Sequence, residues 1–388
     1  RKLPMPTSVR RPHLMLITTS YPGIADGREA AGSFVADFAD ALANHVDVSV
    51  VAPGLADHSE QRGALSVHFF RAERLPLSLL RPWVPVDWPI IRRTLNAGSD
   101  CCRAVAAAHS VDHALALWAL PSGHWARQLP GGVPYSVWGL GSDIWTLGRI
   151  PIVRGLLRRV LRGAQHCFAD GLQLRADMER ICGRDCRFLP SARLFASPHR
   201  RLATTCPPYR LAFLGRWHPN KGIDLLLDAL ALLDDADWQS ISGVRIAGGG
   251  PLAERVGTAV GTLKAAGRPV TQEGFLDRAA AAELFDWADF ILLPSRIESI
   301  PVIFSDAMQA RRPLIATPVG DLPQLIADYG TGILAESATV QAIAQAIRRS
   351  LTGDAATLQQ GLARAAADFD INQSAAHVAS LMSPPANG

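Results

Sequence analysis

The sequence lacks any apolar run near the roughly 18 residues that a membrane-spanning helix needs. Its first apolar stretch, residues 14–18, is too short for the core of a signal peptide and is predicted to be a strand. Hydrophobic residues make up 48% of the chain and charged residues 19%, which excludes a disordered protein. We therefore expect a folded, cytoplasmic protein.

Cysteine and lysine are both scarce in this sequence. The six cysteines form no metal-binding pattern, because Cys182 and Cys186 have neither a second pair nor histidines at ligand spacing. We expect free thiols. Among 39 basic residues, only Lys2, Lys221 and Lys264 are lysines, so a lysine inside a loop motif stands out.

Charge is distributed unevenly along the chain. Residues 1–200 hold 24 basic and 16 acidic residues, a net charge of +8, whereas the remainder holds 15 and 19, a net charge of −4. A basic excess of this size steers anions or favours an anionic membrane surface. It is too diffuse, and too poor in interleaved aromatic residues, to predict a nucleic-acid partner.

The length favours two domains, because one core rarely serves 388 residues. Strand and helix signals alternate through residues 1–195 and again through residues 210–370, as in doubly wound α/β domains. Residues 196–209 contain prolines and basic residues and are predicted to be a linker. Residues 371–388 are predicted to form a C-terminal helix that packs back toward the first domain.

The first domain opens with a βαβ pattern. A strand at residues 14–18 leads through a loop to a predicted helix at Phe34–Ala43, which Ser33 is placed to cap. Gly32 lies at the turn, but the full dinucleotide-binding fingerprint of three spaced glycines is absent there. Gly32 therefore serves either the turn alone or a ligand.

Two polar residues of the first domain follow predicted strands, at the sheet edge where ligands bind in open parallel sheets. His124 follows the strand at residues 113–118, and it is either a helix-start residue or a participant in acceptor chemistry. Asp143 follows the strand at residues 135–138 and lies in a glycine-flanked loop.

Two stretches of the first domain carry clustered arginines. Residues 71–93 combine arginines with Trp83, Trp88 and prolines, which predicts an irregular, protruding segment. Residues 149–163 predict an amphipathic helix with arginines along a second face, and no acidic residue occurs between Asp143 and Asp170. That face is either solvated or in contact with anionic lipid or a charged acceptor.

In the second domain, several loops with affinity for anions follow predicted strands. Arg216 and Lys221 share one strand-to-helix loop, where their charges suit a diphosphate. Glycines 248–250 let the backbone approach a ligand closely, and residues 274–276 form a loop suited to a flat base. Because strand ends of one polarity share a sheet edge, these loops are expected to converge.

The stretch at residues 290–308 predicts a buried strand, a loop with Glu298, and a helix that begins near Pro301. Proline suits the first turn of a helix, where its missing N–H has no cost. A helix N-terminus offers free N–H groups and a positive dipole end, which suits a phosphate. Asp306 lies about two turns into this helix.

Taken together, these motifs resemble the retaining family-4 glycosyltransferases of GT-B fold. The resemblance covers the second domain and continues more weakly at Gly32-Ser33 and Gly141-Ser142-Asp143. It implies an α/β fold of two doubly wound Rossmann-like domains that face each other across a cleft. The residues that carry it are Gly215-Arg216-x-x-Pro219-x-Lys221-Gly222, Gly248-x-Gly250-Pro251-Leu252 and Glu298-Ser-x-Pro-x-x-x-x-Asp306-Ala-Met.

The resemblance also implies a role for each matching residue. Arg216 and Lys221 would hold the donor diphosphate and stabilise the leaving group, and Glu298 would lie near the donor sugar. Asp306 would bind the ribose hydroxyls, and the backbone of Leu276 would read the base. The remaining residues that match donor-binding positions are Gly32, Ser33, Gly250, Ser299, Ile300, Pro301 and Val302.

Three positions depart from the family pattern. Asp306 is one methylene shorter than the glutamate usual at its position. Residues 119–121, Ala-Leu-Pro, and Leu140 stand where many relatives have histidines. A fixed side-chain base is therefore not predicted, and His124 and Asp143 remain candidates.

The resulting hypothesis is a retaining, metal-independent glycosyltransferase with a nucleotide-sugar donor such as a UDP- or GDP-hexose. The first domain would bind the acceptor, a saccharide or a lipid-linked saccharide, in exopolysaccharide or glycolipid synthesis. We expect no metal or other cofactor, and peripheral contact with an anionic membrane at its inner face. Two other classes stay open: an epimerase or phosphorylase of the same fold, and a non-enzymatic two-domain solute-binding protein.

Overall fold

The computed structural model describes residues 10–23, 32–195, 203–298, 300–353 and 355–382. The chain divides into two compact units. The first contains Arg1–Ser191 together with Ile371–Gly388, and the second contains Ala192–Asp370.

The first unit alternates strands and helices, with one hairpin inserted after its second strand. Its strands are β1 (His13–Ile17), β2 (Asp47–Gly54), β3 (His58–Arg62), β4 (Leu65–Arg71), β5 (His113–Leu117), β6 (Tyr135–Gly139), β7 (Cys167–Ala169) and β8 (Arg187–Phe188). Its helices are α1 (Ser33–Ala43), α2 (Trp88–Ala108), α3 (Ser122–Arg127), α4 (Ser142–Trp145), α5 (Pro151–Gly163), α6 (Leu172–Cys182) and, from the C-terminal stretch, α15 (Ile371–Met382).

The described strands of this unit form one sheet in the order β3-β4-β2-β1-β5-β6-β7-β8. All neighbouring pairs are parallel except the β3–β4 hairpin at the edge. The central strands are buried on both faces, as helices on both sides of a parallel sheet require. Strand order reverses between β1 and β5, so the loops that follow these two strands flank the crevice where such sheets bind ligands.

The second unit repeats this architecture without the hairpin. Its strands are β9 (Tyr209–Arg216), β10 (Ile241–Gly249), β11 (Val270–Glu273), β12 (Phe290–Leu293), β13 (Leu314–Ala316) and β14 (Gly332–Leu334). Its helices are α7 (Ile223–Ala231), α8 (Asp235–Gln239), α9 (Ala253–Ala265), α10 (Arg278–Trp287), α11 (Val302–Gln309), α12 (Leu322–Tyr329), α13 (Val340–Thr352) and α14 (Gln359–Asp368).

Within the described ranges, the second sheet is fully parallel, in the order β11-β10-β9-β12-β13-β14. This is the order of a dinucleotide-binding fold, with its switch point between β9 and β12. The β9–β12 pairing aligns Phe290 with Leu211 and Ile291 with Ala212. The loops that end β9 and β12 therefore leave the sheet side by side.

The predicted α/β class and its strand–helix alternation are confirmed. Residues 290–293 form the strand predicted within the stretch at residues 290–308. The β3–β4 hairpin was missed, because β3 consists entirely of polar residues and carries no apolar signal. The prediction that Ser33 caps α1 is wrong: Gly32 is the N-cap residue, Ser33 is the first helical residue, and no side-chain cap hydrogen bond is present among the described residues.

The segment of clustered arginines and tryptophans is only partly irregular. β4 ends at Arg71, short 3-10 turns follow, and the 21-residue helix α2 begins at Trp88. No helix in the described part of the chain is both long and apolar enough to span a membrane.

Candidate active site

Lys221 and Glu298 meet at the switch point of the second sheet. Lys221 ends a short 3-10 turn after β9, and Glu298 lies in the loop after β12. The Lys221 ammonium donates to Oε1 of Glu298, and the Ser295 hydroxyl donates to the same oxygen at 3.1 Å. The side chains keep 35% and 12% of their exposure. Two residues predicted for the site are thus brought into direct contact, and both remain reachable.

Arg296 fixes these two loops to each other. Its guanidinium donates to both carboxylate oxygens of Asp224 at 2.7 Å, and its backbone N–H donates to the Asn220 carbonyl at 2.8 Å. Because both contacts cross from the loop after β12 to the segment after β9, the two loops hold one arrangement. The Arg296 guanidinium also holds the pKa of Asp224 below its usual range. Arg296 was not predicted from the sequence, although opposite charges on two strand-to-helix segments expected to converge were a usable signal.

Two glycines allow neighbouring loops of the site to approach each other at the backbone. Gly222 has φ +66°, and a Cβ there would lie 1.8 Å from the Pro294 carbonyl oxygen. Gly248 has φ +142°, and a Cβ there would lie 1.9 Å from the Gly215 carbonyl oxygen. Neither position has room for a side chain, so the loops after β9, β10 and β12 pack backbone against backbone.

The rest of this edge offers a free cation and free backbone groups. The Arg216 side chain is exposed and forms no ion pair with any residue that the structure describes. Leu276 is half-buried, in the loop after β11, and within the described ranges its backbone makes no hydrogen bond to other backbone groups. Phe275 beside it is 76% exposed. Gly250, with φ +148°, lies against the backbone of Trp217.

Helix α11 begins next to this cluster. Pro301 is its N-cap residue with an extended backbone, and Val302 is the first helical residue, 41% exposed. The Phe304 N–H donates to the Pro301 carbonyl at 2.8 Å, whereas the N–H groups of Val302 and Ile303 make no backbone hydrogen bond within the described ranges, which leaves those two for an anion. Ile300 is half-buried just before Pro301, whereas Ser299 lies outside the described residues.

Asp306 is placed differently from the other predicted donor-site residues. Its side chain is completely buried, and the Arg193 guanidinium donates to both of its carboxylate oxygens, with Nε at 3.0 Å from Oδ1. Removing one partner from a buried ion pair costs about 3 to 5 kcal/mol. One hydroxyl donating to a carboxylate returns about 1.5 to 3 kcal/mol. A single ribose hydroxyl therefore does not displace Arg193, and the ribose role implied for Asp306 stays a prediction.

In the first unit, Gly32 adopts the left-handed conformation, with φ +74°. A Cβ at this position would lie 2.6 Å from the Ser20 carbonyl oxygen, so the turn into α1 requires glycine. Ser33 begins α1 and is half-buried. The donor-binding roles implied for both residues stay predictions.

Asp143 joins the loops that follow β5 and β6. It is completely buried at the start of α4, and its carboxylate accepts hydrogen bonds from the N–H groups of Ala119 and Leu140, the latter at 3.3 Å. Burial raises the pKa of this carboxyl to about 6, although the backbone hydrogen bonds oppose the rise. Asp143 thus ties the loop after β5, which borders the switch point of the first sheet, to the neighbouring loop after β6.

His124 lies in α3 at the border of a cavity of about 300 Å³. Its Nε2 is 2.8 Å from Nε2 of Gln128, while its Nδ1 is buried without a hydrogen-bond partner among the described residues. Burial lowers the pKa of His124, and the nearby Arg127 lowers it further. The cavity is lined by Pro82, Trp88, Ile91, Arg92, Leu95, Asn96 and His124.

Comparison with solved structures identifies the class of fold. Over 96% of this chain and 98% of the other, the protein superposes on sucrose-phosphate synthase from Thermosynechococcus elongatus, with a TM-score of 0.66 and 20% identity. It also superposes on Anabaena HepE in complex with UDP, over 95% and 98% of the two chains, with a TM-score of 0.62 and 16% identity. The predicted GT-B class of fold is therefore confirmed.

The sequence comparison is more specific for the second unit. Residues 208–353 match the family described as Glycosyl transferases group 1, so this unit carries a glycosyl transferases group 1 domain. The chain is 32% identical over 161 residues to D-inositol 3-phosphate glycosyltransferase of Corynebacterium glutamicum, which is 39% of this chain and 37% of that protein. The alignment thus spans little more than a third of the relative's length.

The tight contact at Gly222 predicts a large effect of adding one methyl group. In Gly222→Ala, the new Cβ clashes with the Pro294 carbonyl at a left-handed backbone position, so we expect destabilisation by at least about 2 kcal/mol. Urea unfolding of wild type and Gly222→Ala measures this loss of stability. The matched control is Gly261→Ala in α9, where a Cβ meets no atom within 4 Å and alanine favours the helix. Equal stability of the two variants would contradict this account of the loops.

The buried carboxyl of Asp143 predicts a pH-dependent stability. Its pKa is about 6 in the folded chain, against 3.8 for an ordinary aspartate, so the folded state binds the proton more tightly. Its contribution to the free energy of unfolding is complete below about pH 4 and falls by about 3 kcal/mol as the pH rises through 6. Urea unfolding of wild type and Asp143→Asn from pH 4 to 7.5 measures the difference. A difference independent of pH would overturn the assignment.

Proposed function

We propose that this protein is a glycosyltransferase that moves a sugar from a nucleoside diphosphate donor to an acceptor hydroxyl. The observation that carries the proposal is the convergence of Lys221, Glu298 and the N-terminus of α11 at the switch point between β9 and β12. A cation, a carboxylate and free helix N–H groups together suit a phosphorylated sugar. HepE, which shares the fold, is solved in complex with UDP.

In this proposal the second unit binds the donor. Arg216, Lys221 and the first-turn N–H groups of α11 offset the charge that grows on the departing diphosphate. Glu298 lies beside Lys221, where it orients the ammonium and meets the donor sugar. Gly250 and the backbone of Leu276 line the nucleotide, and Ile300, Pro301 and Val302 line the phosphates.

The proposed reaction retains the configuration at the anomeric carbon. The acceptor oxygen bonds to the anomeric carbon on the face that the diphosphate leaves, the carbon–oxygen bond to the diphosphate breaks, and a donor phosphate oxygen takes the acceptor's proton. No protein nucleophile is needed, which agrees with the pairing of Glu298 to Lys221. A covalent glycosyl-enzyme trapped at Glu298 would contradict this course.

We propose further that the reaction needs no metal ion, because Arg216, Lys221 and the helix N-terminus supply the positive charge. The sequence contains Asp-x-Asp triplets at Asp235–Asp237 and Asp368–Asp370. The aspartates of the first triplet pair with Arg268 and Arg348, and Asp368 accepts from the Tyr329 hydroxyl. Three of these four acids thus have partners within the second unit.

The first unit is proposed to bind a saccharide or lipid-linked saccharide at an anionic membrane surface. Trp83, Val86 and Trp88 are exposed by 54%, 75% and 57%, which suits the interfacial region of a bilayer. Arg92, exposed nearby, lines the cavity at His124 and adds a cation. In α5, Arg158 donates to the Ile181 carbonyl and Arg162 to the Cys182 carbonyl. These two arginines of the amphipathic helix therefore have a structural role within the first unit.

The charges of the donor site predict opposite effects of two substitutions. Lys221→Met removes a cation from the diphosphate and should weaken UDP, GDP or ADP binding about 10-fold to 100-fold. Glu298→Gln removes a like charge beside the phosphates, so it should keep or strengthen this binding while it slows sugar transfer. Isothermal titration with each nucleotide and a transfer assay measure both effects.

The control is Lys264→Met, which removes the exposed lysine of α9 in the same unit. It should leave nucleotide affinity unchanged. If wild type binds none of the three nucleotides, or if Lys221→Met and Lys264→Met behave alike, the donor site is misassigned.

The exposed tryptophans predict salt-sensitive membrane binding. Wild type should cosediment with vesicles of phosphatidylcholine and phosphatidylglycerol, but not with phosphatidylcholine alone, and release at high salt because each arginine contributes about 1 kcal/mol of screened attraction. Trp83→Ser with Trp88→Ser should reduce binding at least about 10-fold, whereas the exposed control Arg103→Gln should change it less than about 3-fold. Binding that neither salt nor the tryptophans alter would sink the proposal.

A further inference from the structure

The Arg193–Asp306 ion pair is the feature of the second unit that the proposed function leaves unused. Arg193 lies in the segment at residues 191–195, which has no regular structure, and Asp306 lies at the centre of α11. Three donor–acceptor contacts join them, and the carboxylate has no solvent exposure. The pair spans 113 positions of the chain, so it ties a distant segment to the helix that begins at the phosphate site.

Helix α11 is also held by ordinary packing. Phe304 packs on Phe369 with ring centroids 4.9 Å apart, and Gln309 donates to the Ala366 carbonyl at 2.6 Å. Between these two contacts, Asp306 supplies a charged anchor. A helix of eight residues is too short to hold its direction by backbone hydrogen bonds alone, so a buried ion pair at its centre sets where its first turn lies.

We propose that Arg193 is a positioning residue for donor binding, and that Asp306 serves as its anchor rather than as a ribose ligand. The inference rests on the proposed nucleotide site at α11. Arg193 holds Asp306, the pair orients α11, and the first-turn N–H groups of α11 then lie where the diphosphate binds. Recognition of the ribose hydroxyls falls to other groups.

The test compares a nucleoside diphosphate with its 2′,3′-dideoxy form. The probe is whichever of UDP, GDP and ADP wild type binds most tightly. Asp306→Asn and Arg193→Met should weaken both forms by the same factor, about 10-fold, so that the ratio of their dissociation constants stays at the wild-type value. Arg193→Lys should recover only part of the affinity, because it restores the charge but not the bidentate geometry of the guanidinium.

Hydrogen exchange at residues 302–309 provides a readout that needs no nucleotide. Arg193→Met should speed exchange in α11 at least about 10-fold, since the helix loses its anchor, and Arg193→Lys should speed it less. The matched control is Arg268→Met, which breaks an arginine–aspartate pair with Asp235 elsewhere in the unit and should leave α11 unchanged. If Arg193→Met does not fold, Arg193→Lys still carries both measurements.

Two results would overturn the inference. One is an affinity ratio that falls to about one in Asp306→Asn, which would make Asp306 the ribose ligand. The other is unchanged exchange and unchanged affinity in Arg193→Met. Failure of wild type to bind any of the three nucleotides would instead refute the proposed function, while the exchange experiment would still decide whether Arg193 anchors α11.

Discussion

The candidate site depends on β9 and β12 lying next to each other in the second sheet. They are far apart in sequence, and only the reversal of strand order makes them neighbours. Once they pair, the loops that follow them must share one edge, so Lys221 meets Glu298 and Arg296 meets Asp224. Strand order is thus what brings these charged residues together. Gly222 and Gly248 allow the loop backbones to approach as closely as this strand order requires.

The convergence of the loops after β9 and β12 was predictable from the sequence. It follows from the alternation of strands and helices, the positions of the loops, and the rule that ligands bind at the carboxyl ends of strands. Strand β12 was also predictable, since a fully buried parallel strand is a continuous apolar run. Prediction failed where that signal is missing. The edge strand β3 is polar throughout and is recognisable only by its pairing with β4.

Side-chain partners were harder to predict than loop positions. A motif predicts that Asp306 lies inside a helix, but the direction of its side chain depends on how α11 is rotated against the rest of the unit. Arg193 stands 113 positions away in a segment with no regular structure, so no periodicity links the two residues. The predicted cap of α1 was wrong for a related reason. The left-handed Gly32 is the residue at which the chain enters the helix, so Ser33 already lies inside the helix.

The three acids predicted for the site have three different environments, and their exposure separates their possible roles. Asp143 is buried against backbone N–H groups and Asp306 against Arg193, so both are occupied in fixing the positions of loops and helices. Glu298 pairs with Lys221 yet keeps some exposure, and its partner keeps more. A carboxylate must be reachable to act on a sugar. Of these three acids, Glu298 is therefore the one that the fold leaves available for chemistry.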